Sequence, residues 1–211
     1  MCIRDSPATV TAVNDFRILM NMYDGLVRYK DGTLEVEPAL AKSWTISDDG
    51  KTYTFSLRSG ISFHDGSKFD ANAVKFNFDR MLDKNHPYHN TGPFPLSFFF
   101  SAIENVEVVS DNSVRFTLNA PYAPFLSNLA YPTGLIASPE AIKNNGSDFG
   151  RNPVGTGAFK FKSWKDFIET LAHEMVHLYQ MQIAKDPYSN HNNNFYKFRD
   201  KFKQYGLALF R

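Results

Sequence analysis

Cysteine is nearly absent from this chain of 211 residues, since Cys2 is the only one. A single cysteine excludes a disulfide within the chain, and it leaves the redox compartment unspecified. Long apolar runs are also missing, because no segment approaches the roughly 18 residues that a membrane-spanning helix needs. The charge has no excess of either sign, with 23 basic and 22 acidic residues. The sequence therefore predicts neither a membrane span nor a nucleic-acid partner.

The first six residues, MCIRDS, lack the apolar segment of a signal peptide. They contain one basic residue, and Pro7 follows them directly. We interpret residues 1–6 as a non-native leader or cloning scar, and we exclude them from reasoning about the fold. No signal peptide is predicted in this chain.

The residues that are abundant are those of a globular protein rich in β-structure. Hydrophobic residues make up 43% of the chain and charged residues 21%, as in ordinary soluble domains. The 20 phenylalanines and 10 tyrosines suit a sheet with an aromatic core. The length allows one large domain or two small ones.

Two stretches, at residues 44–58 and 106–118, alternate apolar and polar residues on either side of a turn. This pattern predicts two β-hairpins. Between them, Asp70 is suited to cap a helix over residues 71–82. Further along, Ser138 followed by proline predicts the start of another helix. The sequence thus predicts a mixed α/β fold over this part of the chain.

Several residues of types that often act in catalysis or binding have simpler structural interpretations. We expect Asp48, Asp49 and Asp65 to form turns and His64 to be a structural residue in a turn. We expect His86 and His89, which flank a proline and a tyrosine, to be solvated. Residues 155–157 (Gly-Thr-Gly) are expected to form a tight turn, and the phenylalanines at 98–100 to lie in the core.

The main candidate for chemistry is the sequence HEMVH at residues 173–177, an HExxH motif. Apolar residues recur with helical period from residue 166, so a helix is predicted over residues 166–184. Residues four apart share a helix face, which lets His173 and His177 hold one Zn²⁺. Glu174 then lies beside them as the acid/base for a zinc-bound water. A chance HExxH on an amphipathic helix is the alternative.

A catalytic zinc site needs a third protein ligand, and His191 is the only later histidine. We therefore take His173, His177 and His191 as candidate metal ligands and Glu174 as the candidate catalytic residue. Without strands of its own to bury it, we expect the apolar face of this helix to lack a partner. Little or no proteolysis is expected for the same reason.

Four phrases resemble family 5 extracellular solute-binding proteins, the dipeptide- and oligopeptide-binding branch that serves ABC importers. The resemblance covers about residues 11–164 and implies lobe one of a two-lobed α/β fold that closes over its ligand. The phrases are LVRYKDGTLEVEPALAKSW, DDGKTYTFSLRSGISFHDGSKFDANAVKFNFDRM, YAPFLSNLAYPTGLIASPEAI and NPVGTGAFKFKSW. It also implies a peptide or small solute as ligand, an ABC permease as partner, a monomer, and a periplasmic or extracellular location.

The remaining residues, 165–211, resemble the end of an SprT-like zinc metallopeptidase. The resemblance rests on the ETL run before HExxH and on His191 followed four residues later by Phe195. It departs from that family at Asn192, where the family has glycine. It implies zinc as a possible cofactor of this segment alone.

The domain organisation predicted from the sequence is a leader (residues 1–6), a partial solute-binding lobe (residues 7–164) and a helical zinc-peptidase-like fragment (residues 165–211). The leading functional hypothesis is a non-enzymatic fragment of an importer's substrate-binding protein, not binding-competent alone. Its substrate-binding residues are unknown from the sequence. The alternatives are a zinc-dependent metallopeptidase and a chimeric open reading frame with no selected function.

Overall fold

The computed structural model describes residues 6–8, 13–161, 163, 172–173, 175–177, 179–180 and 196–204. The chain divides into two compact units, Met1–Lys160 and Phe161–Arg211. The division falls shortly before Trp164, where the sequence suggested a junction.

The first unit contains short strands, with helices before, between and after them in the sequence. Its regular elements are α1 (Val13–Met22), β1 (Val27–Tyr29), β2 (Val36–Pro38), β3 (Ala41–Ile46), β4 (Thr52–Leu57), α2 (Ala71–Leu82), β5 (Ile103–Ser110), β6 (Ser113–Leu118), α3 (Phe125–Ala130) and α4 (Pro139–Asn145). Among the described residues of this unit there are also four 3₁₀ helices, at His89–Thr91, Ser97–Phe100, Pro132–Gly134 and Gly146–Arg151.

A four-stranded antiparallel sheet, in the order β3–β4–β6–β5, forms the centre of this unit. Both predicted hairpins are confirmed, because β3 pairs with β4 and β5 pairs with β6. The hairpins join through β4 and β6, where Phe55 lies opposite Val114. Strands β1 and β2 form a separate two-stranded sheet.

One face of the four-stranded sheet is buried by α2. Residues on β4 and β6 alternate between buried and half-buried, as expected for strands with one covered face. The Phe78 ring on α2 lies 4.9 Å from the Phe116 ring and 5.2 Å from the Phe100 ring, both edge to face. Aromatic packing of this kind accounts for the high phenylalanine content.

The predicted helix starts are confirmed by their caps. An Asp70 carboxylate oxygen accepts a 3.1 Å hydrogen bond from the Ala73 amide at the start of α2. The Ser138 hydroxyl accepts a 3.1 Å bond from the Ala141 amide at the start of α4. Gly146 ends α4 with a φ of 53°, a conformation that glycine adopts without strain.

In the second unit, the described residues 172–173, 175–177 and 179–180 are helical, and α5 (Arg199–Lys203) follows. The rest of the helix predicted over 166–184 lies outside the described residues. Ala172 and Val176 are buried, with Phe198 and Phe202 packed against them. The expectation of an uncovered apolar face is therefore wrong at these positions, because aromatic residues from the later helical segment cover it.

Candidate functional site

Residues 155–159, near the end of the first unit, lie against the end of α1. The Gly157 amide donates a 3.0 Å hydrogen bond to the Met22 carbonyl, and the Phe159 amide donates another of 3.0 Å to the Asn21 carbonyl. The Thr156 hydroxyl donates a 2.8 Å bond to an Asp24 carboxylate oxygen. The sequence predicted a turn at residues 155–157, but no local pattern links that turn to the end of α1.

Glycine is required at positions 155 and 157 because the backbone of α1 is close. A Cβ on Gly155 would lie 2.2 Å from the Met22 carbonyl oxygen, and one on Gly157 would lie 2.6 Å from the Asn21 carbonyl oxygen. Neither glycine has a positive φ. These residues do form a bend, as expected. Glycine is needed here because it has no Cβ and so allows the backbone to approach α1 closely, and not because the turn is left-handed.

His64 also holds residues 155–157 in place. Its amide donates a 2.9 Å bond to the Gly155 carbonyl, and its Nε2 lies 2.7 Å from the Gly157 carbonyl oxygen. Because a carbonyl oxygen can only accept, Nε2 carries the proton. Lys160 donates a 2.6 Å bond to the His64 carbonyl. The interpretation of His64 as a structural residue is confirmed.

Asp65, next to His64, links its own turn to the start of α4. Its carboxylate accepts a 2.6 Å bond from the Ser138 hydroxyl and bonds of 2.9 and 2.6 Å from the Ser67 amide and hydroxyl. Burial alone would raise the pKa of Asp65, but these donors outweigh it and hold the pKa below its ordinary value. Asp65 forms the turn, as expected, and also connects it to a helix cap.

A row of aromatic rings extends from α1. Phe16 packs edge to face on Tyr131 at 5.3 Å, Tyr131 on Phe99 at 5.3 Å, and Phe99 lies beside Phe98 at 4.5 Å. Met20 lies one helical turn after Phe16 and so shares its side of α1. We call these five residues the α1 patch.

The ends of the α1 patch are exposed to solvent. Phe98 is 60% exposed and Met20 is 50% exposed, whereas Phe16 is buried. The expectation that residues 98–100 all belong to the core is therefore wrong for Phe98, although Phe100 is fully buried. The α1 patch was missed from the sequence because three separate segments contribute to it.

His86 and His89 are half-buried rather than solvated, so that expectation is also wrong. The His86 Nδ1 accepts a 3.2 Å bond from the Tyr88 amide, and burial lowers the pKa of His86. The His89 Nδ1 lies 2.9 Å from the Arg80 carbonyl oxygen, and its ring stacks on Phe94 at 5.4 Å. Both rings are held by the fold.

In the second unit, the two histidines of the HExxH motif converge. Their Nε2 atoms lie 3.2 Å apart, and their rings are 4.9 Å apart and edge to face. The His177 Nδ1 lies 3.2 Å from the Gln180 side-chain oxygen, which can only accept, so Nδ1 carries the proton. The His177 Nε2 then presents a lone pair toward His173.

The other two candidate residues of this motif, Glu174 and His191, lie outside the described residues. Within the described part of the chain, no cluster of three or more histidine, cysteine or acidic side chains is arranged to hold a metal ion. The roles assigned to His173, His177, His191 and Glu174 stay predictions.

Residues 35–172 match the bacterial extracellular solute-binding proteins, family 5 middle. The chain belongs to this family. Among curated relatives, heme-binding protein A of Haemophilus influenzae is 41% identical over 174 residues, which cover 72% of this chain and 31% of the relative. The dipeptide-binding protein of Escherichia coli is 39% identical over 160 residues, covering 68% of this chain and 30% of the relative.

Solved structures agree with the family. A periplasmic binding protein of Helicobacter pylori, solved with a bound peptide, has a TM-score of 0.69 at 40% identity, covering 75% of this chain and 34% of that one. A dipeptide-binding protein of a Pseudoalteromonas species, solved with Met-Leu, has a TM-score of 0.70 at 34% identity, covering 75% and 35%. The mixed α/β lobe expected from the sequence is confirmed.

The chain spans about a third of the length of the curated relatives that it matches. Among the residues that the structure describes, no helix is both long and apolar enough to cross a bilayer.

Proposed function

We propose that the first unit supplies one wall of the solute-binding cleft in the receptor of an ABC importer, and that its solute is a peptide or a molecule of similar size. The observation that carries this proposal is the α1 patch. Its exposed Met20 and Phe98 side chains offer apolar contact area to a ligand. Relatives of this family include dipeptide-binding proteins.

The exposed chemistry of α1 suits a small zwitterionic solute. Aromatic rings and a methionine give adaptable apolar contacts to side chains of varied shape. Arg17 is exposed on the same helix and supplies a positive charge for a carboxylate. Within the proposed importer, the receptor delivers its solute to a permease, in a periplasmic or extracellular location, and acts as a monomer without enzymatic activity.

We expect the chain alone to bind such a solute only weakly. Affinity in a two-walled cleft comes from burying most of the ligand, and one wall gives up much of that area. The dissociation constant should be about millimolar, or roughly −4 kcal/mol. The chain therefore has the surface for recognition but is not expected to retain the ligand.

An NMR titration tests this proposal. Dipeptides and tripeptides are added to the ¹⁵N-labelled chain, and we expect amide shifts to concentrate in α1 and in residues 97–100. Met20→Ala and Phe98→Ala should weaken these shifts, while Leu34→Ala, at a side chain 83% exposed, serves as the matched control. Shifts that lie elsewhere, or saturable micromolar binding, would show that the site is misplaced.

A second candidate function is zinc binding by the histidine pair, which the 3.2 Å separation of the two Nε2 atoms favours. Two nitrogens at 2.0–2.1 Å from a tetrahedral Zn²⁺ lie about 3.3 Å apart. The pair therefore fits two adjacent zinc ligands. Bound zinc would supply a Lewis acid at this helix.

The contact from His177 Nδ1 to Gln180 supports the same proposal. It fixes the proton on Nδ1, so that the lone pair of the ring is on Nε2, as outer contacts commonly do for metal-binding histidines. Without metal, His173 Nε2–H donates to His177 Nε2, and binding requires His173 to move this proton to its other nitrogen. The SprT-like assignment adds His191 as third ligand and Glu174 as acid/base.

Zinc titration of the intact chain beside His173→Ala, His191→Ala and Glu174→Gln tests these assignments. Unchanged affinity in His173→Ala would eliminate the site, and unchanged affinity in His191→Ala would leave only a two-histidine pair. His86→Ala, a histidine of the first unit, is the control. Casein cleavage by the intact chain, but not by Glu174→Gln, would favour the metallopeptidase function over the receptor function.

The third alternative, a chimeric open reading frame, concerns the origin of the chain rather than the chemistry of either unit. The family match ends at residue 172, beyond the junction that the sequence suggested at Trp164. Reading independent genomic DNA across residues 160–175 tests this alternative. An intact family 5 sequence there would contradict the chimera.

A further inference from the structure

The loop that follows α2, residues 83–91, folds back on that helix through two histidine rings. We call it the post-α2 loop. The His86 ring packs edge to face on Phe76 of α2 at 5.2 Å and lies 6.0 Å from the Tyr88 ring. The His89 Nδ1 lies 2.9 Å from the Arg80 carbonyl oxygen, which can only accept, so Nδ1 donates. Both rings thus hold the loop against α2.

The His86 ring holds the loop as a hydrogen-bond acceptor. Its Nδ1 accepts the Tyr88 amide proton at 3.2 Å, because a backbone amide can only donate. Nδ1 therefore carries a lone pair, and the single proton of the neutral ring is on Nε2. A second proton has to be taken up on Nδ1. The charged ring then has two donors and no acceptor, so it cannot keep the bond to Tyr88.

Tyr88 connects the His86 ring to a buried arginine. Its carbonyl accepts a 2.6 Å bond from the Thr91 hydroxyl. The same hydroxyl accepts a 2.9 Å bond from Nη1 of Arg80, whose side chain is only 3% exposed. A displacement of Tyr88 therefore reaches the contact with Arg80 through the Thr91 hydroxyl alone.

The charged groups around His86 come from three elements. They are Asp79 and Arg80 of α2, Asp83 and His89 of the post-α2 loop, and Lys143 of α4, which lies over the Phe76 ring and pairs with Glu140. Burial has the largest effect and lowers the pKa of His86, and the two aspartates oppose this lowering. The ring is therefore neutral at neutral pH and takes up its second proton in acid, below about pH 6.5.

Phe94, just beyond the loop, is a strained residue that the closed arrangement supports. Its φ is 44°, in the left-handed region that is uncommon for residues other than glycine. The His89 ring stacks on it at 5.4 Å, and the guanidinium of Arg80 lies 5.1 Å from the centre of its ring. Such a conformation persists only where surrounding contacts hold it. Loss of the loop contacts removes part of that support.

We propose that the post-α2 loop is an acid-sensitive latch, closed on α2 at neutral pH and opened by a proton on His86 Nδ1. Opening breaks the bond between Tyr88 and His86 and carries Thr91 away from Arg80. His89 does not act in this way, because its Nδ1 already donates and a proton added to Nε2 leaves that bond in place. The latch rests on contacts within the first unit and does not depend on the solute site proposed above.

Hydrogen exchange followed by NMR, from neutral pH to about pH 5, tests the latch in the intact chain. Rates are expressed as protection relative to an unfolded chain at each pH, which removes the intrinsic pH dependence of exchange. We expect the protection of the Tyr88 and Thr91 amides to fall about tenfold in acid, in step with the titration of the His86 ring. Amides of β4 and β6 are the internal control and should stay protected. Unchanged protection of Tyr88 below the His86 midpoint, or an equal loss in the sheet, would overturn the proposal.

Two substitutions of His86 should have different effects on the latch. An asparagine side chain accepts the amide proton two residues later, as in an Asx turn, and takes up no proton itself. His86→Asn should therefore show no acid opening, whereas His86→Ala, which has no acceptor, should lose about tenfold of the Tyr88 protection at neutral pH. Acid opening that persists in His86→Asn, or full protection in His86→Ala, would show that Nδ1 does not close the loop.

Discussion

The Thr156 hydroxyl donates a 2.8 Å hydrogen bond to the Asp24 carboxylate across 132 positions of sequence. A hydrogen bond to a charged acceptor stabilises a fold by about 1.5–3 kcal/mol. Through this bond, Thr156 fixes the turn that follows the end of α1. The pair therefore joins the first and last parts of the first unit.

Breaking this pair should destabilise the first unit. Thr156→Val removes the donor while keeping the shape of the side chain, and we expect a loss of about 1–2 kcal/mol in the free energy of unfolding. Urea denaturation measures it. In a double-mutant cycle with Asp24→Ala, the two losses should not add, because both remove the same bond. Additive losses would mean that the bond contributes nothing.

Gly155→Ala should destabilise the chain by more than about 2 kcal/mol, because the new methyl group overlaps backbone that cannot move aside. The closest atom is the Met22 carbonyl oxygen, at 2.2 Å. Gly150→Ala is the control, since a Cβ there meets nothing within 4 Å. It should be neutral or slightly stabilising. Equal losses at the two positions, measured by urea denaturation, would contradict the close-approach explanation.

Acid should destabilise the first unit partly through Asp65. Because its pKa is lowered in the folded state, the carboxylate contributes stability above its unfolded pKa of about 3.9, and this contribution is lost as the pH falls through the folded value. Asp65→Asn should therefore show a shallower loss of stability below about pH 4. Unfolding free energies measured between neutral and acid pH test this, and parallel curves for both proteins would exclude the contribution.

Truncating a buried phenylalanine should cost far more stability than truncating an exposed one. Phe78→Ala removes a ring that is 1% exposed and packs on Phe116 and Phe100, so a loss of about 3–5 kcal/mol is expected. Phe98→Ala removes a ring that is 60% exposed, and it should change stability by less than about 0.5 kcal/mol. Chemical denaturation measures both. A large loss in Phe98→Ala would place that ring in the core.

Local features of this fold were predictable from the sequence, because their causes lie within a few residues. The Asp70 cap contacts Ala73, three positions away, and each hairpin pairs residues on either side of its own turn. The helix starts and strand pairs follow from such short-range contacts.

Features that depend on distant segments were not predictable. The α1 patch needs contributions from three segments, and Gly155 needs α1 beside it. Arg80 lies on the predicted helix, but only the tertiary fold shows that Phe94 and Thr91 contact its side chain. Burial of a polar side chain is set by what packs on it rather than by its own helix.

The order of strands in the central sheet has a consequence for how the protein folds. Each hairpin can form quickly and independently, since its strands are adjacent in sequence. The pairing of β4 with β6 is different, because Ser56 meets Ser113 only after the intervening segment, α2 included, has closed as a loop. We therefore expect the docking of two preformed hairpins to limit the folding rate. Substitutions where β4 pairs with β6, such as at Phe55 and Val114, should then slow folding. Substitutions at the outer edge of β3 should mainly speed unfolding.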